Sequence, residues 1–95
     1  MTAYLIAEID VTDPKAYEPY KTAASAAIAR YGGKYIARGG KTLALEGAPP
    51  KRIIVLEFPD LETAKRFHES ADYQAAIALR KKASAGSRLF IVEGQ

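Results

Sequence analysis

Apolar and polar positions alternate along the first stretch of the chain. From Tyr4 to Val11, Leu5, Ala7, Ile9 and Val11 fall on one face, and Tyr4, Ile6, Glu8 and Asp10 on the other. That period of two predicts a strand. Beyond Asp13-Pro14 the spacing changes to three and four. Tyr17, Tyr20, Ala24, Ala27, Ile28 and Tyr31 form the stripe of an amphipathic helix, with Lys15, Glu18, Lys21, Ser25 and Arg30 opposite. Asp13 reads as its N-cap and Pro14 as its first residue. Pro19 lacks the N–H a helix interior uses, so either the first turn is distorted or the regular helix begins near Glu18. Gly32-Gly33 ends the helix. Lys34–Arg38 and Thr42–Glu46 are short strand candidates separated by Gly39-Gly40-Lys41, followed by a Gly47-Ala48-Pro49-Pro50 loop. Arg52–Phe58 is the clearest strand. Asp60 caps a helix with Leu61, Ala64, Phe67 and Ala71 on one face. Ser70 caps a further segment to about Ala83, with Tyr73, Ala76, Ile77 and Arg80 together, ended by Ala85-Gly86. Arg88–Glu93 is the last strand.

The order is β-α-β-β-α-β with an interrupted or doubled second strand. This is the split βαβ pattern of ferredoxin-like α+β folds: an antiparallel sheet with helices on one face and the first and third strands central. The 95 residues suit one such domain, 1–95. A sheet covered on one face should be polar on the other, yet these strands are apolar on both. Ile53 and Val55 oppose Ile54, Leu56 and Phe58, while Leu89 and Ile91 oppose Phe90 and Val92. Whichever face the helices cover, the other keeps large apolar side chains. Burying them is worth on the order of 10 kcal/mol before ordering costs. A homodimer packed sheet to sheet, a dimeric α+β barrel, is the expected assembly.

Composition narrows the function classes. Hydrophobic residues make up 48% and charged residues 26%, as in ordinary globular proteins. Lys and Arg number 14 against 11 acids, and the resulting +3 is too small an excess to imply nucleic acid or an anionic membrane. The densest cationic run, Arg80-Lys81-Lys82, suits a helix C-terminus. With no cysteine there is no disulfide, thiolate metal site or Cys nucleophile. No stretch is long and apolar enough to span a membrane, no signal peptide is evident, and the cytoplasm is the expected compartment. Gly39-Gly40-Lys41 lacks the spacing of a P-loop. The strand from Lys51 to Phe58 lacks the glycine and stacking aromatics of an RNA-recognition module.

Several local runs occur in combination. They are Gly32-Gly33-Lys34-Tyr35-Ile36-Ala37-Arg38-Gly39-Gly40, Leu45-Glu46-Gly47, Glu57-Phe58-Pro59, Ala64, Tyr73-Gln74 and Leu79-Arg80. Together they resemble domain-of-unknown-function family 1330 over essentially the whole chain. The resemblance implies the dimeric α/β-barrel superfamily, in which two ferredoxin-like units pack sheet to sheet. It implies no particular substrate. Members of that superfamily include haem-degrading and cofactor-independent monooxygenases, lactone isomerases and ligand-sensing regulatory domains.

The candidate chemistry is sparse. Glu57 interrupts an apolar strand, as either a desolvated general base or half of a structural ion pair with Arg80. His68, the only histidine, is the second catalytic candidate and the one residue through which haem would be held; otherwise it is a residue of the helix flank. Arg38 beside two glycines reads as an anion contact or as a solvated arginine on a bulge. Arg38, Tyr73 and Arg80 are the candidate ligand-binding residues. Arg38, Glu57 and Arg80 are expected to converge near the barrel mouth. A small acidic or aromatic molecule between sheet and helices is the expected ligand, with no cofactor and no metal. A dimerisation module without catalysis is the alternative, and the residues leave enzymatic activity open.

Overall fold

The computed structural model describes all 95 residues. The elements are β1 (Ala3–Val11), α1 (Pro14–Arg30), β2 (Lys34–Arg38), β3 (Ile53–Phe58), α2 (Leu61–Glu69), α3 (Ala71–Ala83) and β4 (Ser84–Glu93). The four strands form one antiparallel sheet in the order β2-β3-β1-β4. The first and third strands are therefore central, as the ferredoxin-like pattern requires. All three helices lie on one face. The Cα atoms span 33 × 32 × 16 Å, the thickness of one sheet and one helical layer.

The strand alternation sorts the two faces. Leu5, Ala7, Ile9, Ile54, Leu56 and Phe58 are buried against the helices, with Leu89 and Ile91 partly buried beside them. Tyr4, Ile6, Ile53 and Val55 are half-buried on the other face, where Phe90 and Val92 are exposed. Opposite them along the chain, α1 buries Tyr17, Tyr20, Ala24, Ala27 and Ile28. The helix is regular from Pro14, so Pro19 does not delay its start. Pro19 lies on the solvent side, where the carbonyl it leaves unpaired meets water. Asp60 and Ser70 cap as expected, their side chains accepting from the N–H of Thr63 at 2.7 Å and of Tyr73 at 3.2 Å. Gly32, at φ +74°, takes the left-handed position after α1.

Two boundaries differ from the sequence expectation. Thr42–Glu46 is not a strand. Gly39, at φ +65°, turns the chain away after its N–H donates to the Ile53 carbonyl. The segment beyond has no neighbouring strand to pair with, and Leu43 and Leu45 are exposed. β-propensity without a ladder partner does not make a strand. The end of α3 also needs no glycine. The Ala83 carbonyl accepts from the N–H groups of Thr12 and Asp13, and the Ser84 hydroxyl donates to the Arg80 carbonyl. Tertiary partners thus satisfy the last turn, and Ala85-Gly86 lie within β4, where the register with β1 shifts.

Candidate functional site

On α3, Tyr73 and Arg80 stand seven residues apart, which is two turns and hence the same face. That face points at the sheet. Arg80 is only 5% exposed, the one charged residue in the interior. Its Nη1 donates to the Tyr73 hydroxyl at 2.8 Å, and the Tyr73 hydroxyl lies 2.8 Å from that of Tyr20 on α1. The guanidinium carbon is 5.5 Å from the Tyr20 ring centre and 6.0 Å from that of Tyr73, within cation–π range. Tyr17, one turn before Tyr20, packs its ring 5.1 Å from it.

A second group comes from the β2–β3 end of the sheet. The register between these strands shifts between Tyr35 and Ala37, a bulge at Ile36. Strict alternation would send Tyr35 and Arg38 to opposite faces. The extra residue returns Arg38 to the helix side. There its guanidinium carbon is 4.3 Å from the Tyr35 ring centre, and its Nη2 donates to the Ser25 hydroxyl of α1 at 3.2 Å. Arg52, just before β3, lies against the backbone of Gly39, with its guanidinium carbon 5.5 Å from the Tyr17 ring centre.

These groups surround a narrow cleft of about 20 Å³ between sheet and α1, enough for roughly one water. Its polar walls are Tyr17, Tyr20, Tyr35, Tyr73, Lys21, Arg38 and Arg52, and the remainder is apolar, chiefly Leu5, Ile54 and Leu56. No carboxylate lines it. The three ion pairs of the molecule, Lys21–Glu18, Arg30–Asp72 and Arg88–Glu8, include none of Arg38, Arg52 or Arg80. The Nε atoms of Arg52 and Arg80 and the hydroxyl of Tyr17 are buried without a hydrogen-bond partner. Such atoms are rare in folded proteins, and here they cluster. Outside the cleft, an open basin of about 340 Å³ shares Tyr17, Lys21 and Arg52 with it and adds Lys51 and Glu18.

The phenols are held protonated. Burial pushes the Tyr20 hydroxyl far above its ordinary value, with Tyr73 adding to the rise and Arg80 opposing it. Burial also raises Tyr73 against the opposing hydrogen bond from Tyr20 and charge of Arg80. Tyr17 is raised by burial and by Tyr20, with Arg52 pulling the other way. At neutral pH all three tyrosines therefore present O–H donors, and none presents a phenolate.

The expected meeting of Arg38, Glu57 and Arg80 does not occur. Glu57 alternates with Leu56 and Phe58 and so points to the helix-free face, opposite Tyr4 of β1 and Lys34 of β2. Arg80 is on the other side of the sheet. Arg38 and Tyr73 do line one cleft, and Arg80 stands behind it, hydrogen-bonded to Tyr73. His68 is half-buried outside the cleft, in a groove of about 300 Å³ with Lys65, Glu69 and β4, its ring 5.7 Å from that of Tyr73. No three His, Cys, Asp or Glu side chains are grouped so as to hold a metal. Tyr17, Tyr20 and Arg52 also line the cleft, beyond the residues that the sequence motifs single out. Tyrosine in place of Leu or Ile along an inward stripe was the available signal, since a buried hydroxyl needs a partner.

Solved structures share this architecture. A protein of unknown function from Rhodopseudomonas palustris matches with TM-score 0.76 and 20% identity over 99% of this chain and 82% of its own. A dimeric ferredoxin-like protein of unknown function from Thermobifida fusca matches with TM-score 0.68 and 19% identity, covering 99% and 92%. SnoaB, a cofactor-independent oxygenase from Streptomyces nogalater, matches with TM-score 0.71 and 13% identity, covering 99% and 93%. At these identities the shared property is the fold. No curated protein matches the chain. The model of one family does match, over residues 2–95, and the chain belongs to that family, described as Domain of unknown function (DUF1330).

Proposed function

We propose that the protein is a homodimeric small-molecule-binding protein. Two sheets pack face to face through Tyr4, Ile6, Ile53, Val55, Phe90 and Val92. Each protomer holds a small acidic or aromatic ligand in the cleft between its own sheet and helices, with Arg38 and Tyr73 in the wall and Arg80 orienting Tyr73. The carrying observation is Arg80, a guanidinium 5% exposed with no carboxylate within salt-bridge distance. A buried cation without a countercharge is costly, and a module selected only for dimerisation gains nothing from it. A bound anion supplies the missing charge. The cleft walls contain no carboxylate or imidazole and no ionised phenol, so the geometry favours binding over proton abstraction.

The dimer is supported by the apolar helix-free face and by a thin core of 18 buried residues among 95. Sedimentation at micromolar protein should show a dimer, and Ile6→Lys should yield monomer or unfolded chain. A folded wild-type monomer at that concentration overturns this half of the reading. For the ligand half, titration with benzoate followed by amide NMR shifts should perturb residues around Tyr17, Tyr20 and Tyr35. Arg80→Met should weaken those responses without unfolding the protein. A folded Arg80→Met variant with wild-type affinity would sink the assignment.

A further inference from the structure

The hydrogen-bonding inventory of the cleft is one-sided. Tyr20 and Tyr73 share one mutual hydrogen bond, whichever of them donates it. Two hydroxyl protons serve that single bond, so one proton is left without a protein acceptor. The Tyr17 hydroxyl has the Arg52 guanidinium beside it but no hydrogen bond of good geometry, and the Nε–H of Arg52 has none either. Arg52 makes no ion pair. Arginine has donors only. The polar side chains facing the cleft are therefore cations and phenols, with no carboxylate among them, so the phenol oxygens are the side-chain acceptors a ligand donor would meet.

Arg52 occupies a special place in this set. It belongs to the walls of both the inner cleft and the outer basin. Its seat is made by Gly39. A Cβ built there would fall onto the guanidinium, 2.6 Å from its central carbon, and φ at Gly39 is already in the glycine-favoured region. The cleft itself holds little more than one water, whereas the basin is about 340 Å³. Arg52, seated on Gly39, stands at the boundary of the two.

Resting on the binding reading above, we infer that the ligand is an aromatic carboxylate that enters from the outer basin and is received by Arg52. Its two oxygens accept from the Arg52 guanidinium and the Tyr17 hydroxyl at the mouth of the cleft, and its ring lies in the adjoining basin against Val11 and Pro14. A carboxylate presents acceptors alone and matches the planar fork of arginine. A primary amide of the same shape lacks the charge that Arg52 would pair with and meets only phenol oxygens as side-chain acceptors, and an amine adds a like charge. Arg52 is thus the specificity-determining residue, and Gly39 its positioning residue.

The test compares benzoate, benzamide and benzylamine on the full-length protein by calorimetry and amide NMR shifts. Benzoate should bind about tenfold or more tightly than benzamide, and benzylamine should not bind. Arg52→Met should bring benzoate down to the benzamide level while leaving benzamide unchanged, and Arg52→Lys should restore part of the difference. Gly39→Ala should erode the preference in the same direction, because it unseats Arg52. If benzoate and benzamide bind equally, or Arg52→Met keeps the preference, the ligand assignment is overturned while the binding cleft stands. If none of the three binds at millimolar concentration, the binding reading fails and this inference with it.

Discussion

The space between sheet and helices is built in two ways at its two ends. At one end the Phe67 side chain packs among aromatic rings. Its ring centre lies 5.1 Å from that of Phe58, 4.4 Å from Tyr73 and 6.3 Å from Tyr31, and Phe58, Ala64 and Phe67 have essentially no exposed surface. Around Tyr20 the same helices meet the same sheet through phenols and guanidinium groups, with buried polar atoms unpaired and a cleft between them. Tyr73 is the joint, its ring packed on Phe67 and its hydroxyl in the polar cluster. The first end has what folding needs. The second forgoes close packing and retains charge, which is the mark of a region kept for another purpose.

Substitutions sharpen this contrast. The largest effect is expected at the apolar end, where Phe67→Ala should cost about 3–5 kcal/mol and lower the melting temperature by roughly 12 °C or more. A loss below about 1 kcal/mol would break the distinction between the two ends. Arg80→Met, at the polar end, should have the opposite sign. Replacing an uncompensated buried cation by an apolar side chain of similar length should leave stability unchanged or raise it by about 1–4 kcal/mol. A sharp loss in thermal denaturation would mean that Arg80 supports the fold.

A smaller effect, also confined to the polar end, depends on pH. Tyr17, Tyr20 and Tyr73 have folded-state pKa values raised above the ordinary 10.0. Below pH 10 the folded and unfolded chains both keep these protons. Above it the unfolded chain releases them first, so the folded state binds more protons and stability falls as pH rises towards the folded values. Circular dichroism and the phenolate absorbance of the last three of the six tyrosines should change together above pH 10, and Tyr20→Phe should shift that transition upwards. Phenolate absorbance from more than three of the six tyrosines before structure is lost would show that burial does not hold these hydroxyls. The smallest effect belongs to His68→Ala, outside both ends. It should change stability by no more than about 0.5 kcal/mol and leave benzoate binding at its wild-type level, as calorimetry would report.

Much of the architecture follows from local patterns. Alternation in β1, β3 and β4 determines which side chains share a face, because a strand's period of two needs no knowledge of the rest of the chain. The capping roles of Asp60 and Ser70, the end of α1 at Gly32 and the common face of Tyr73 and Arg80 are equally local. Two-sided apolarity likewise shows that whichever face the helices leave open is apolar. The site depended on longer-range geometry. Glu57 and Arg80 are separated by the sheet itself, since strand phase and helix phase are each visible but their relative orientation is set only when α3 docks. Arg38 reaches the cleft through a bulge that appears only in the pairing of β2 with β3. Arg52 is held by Gly39 across a fourteen-residue loop, 39–52, and Thr42–Glu46 fails to become a strand for want of a neighbour. Periodicity acts over one turn or one pleat, whereas a cleft is made by residues far apart in the chain, and their meeting is decided by packing.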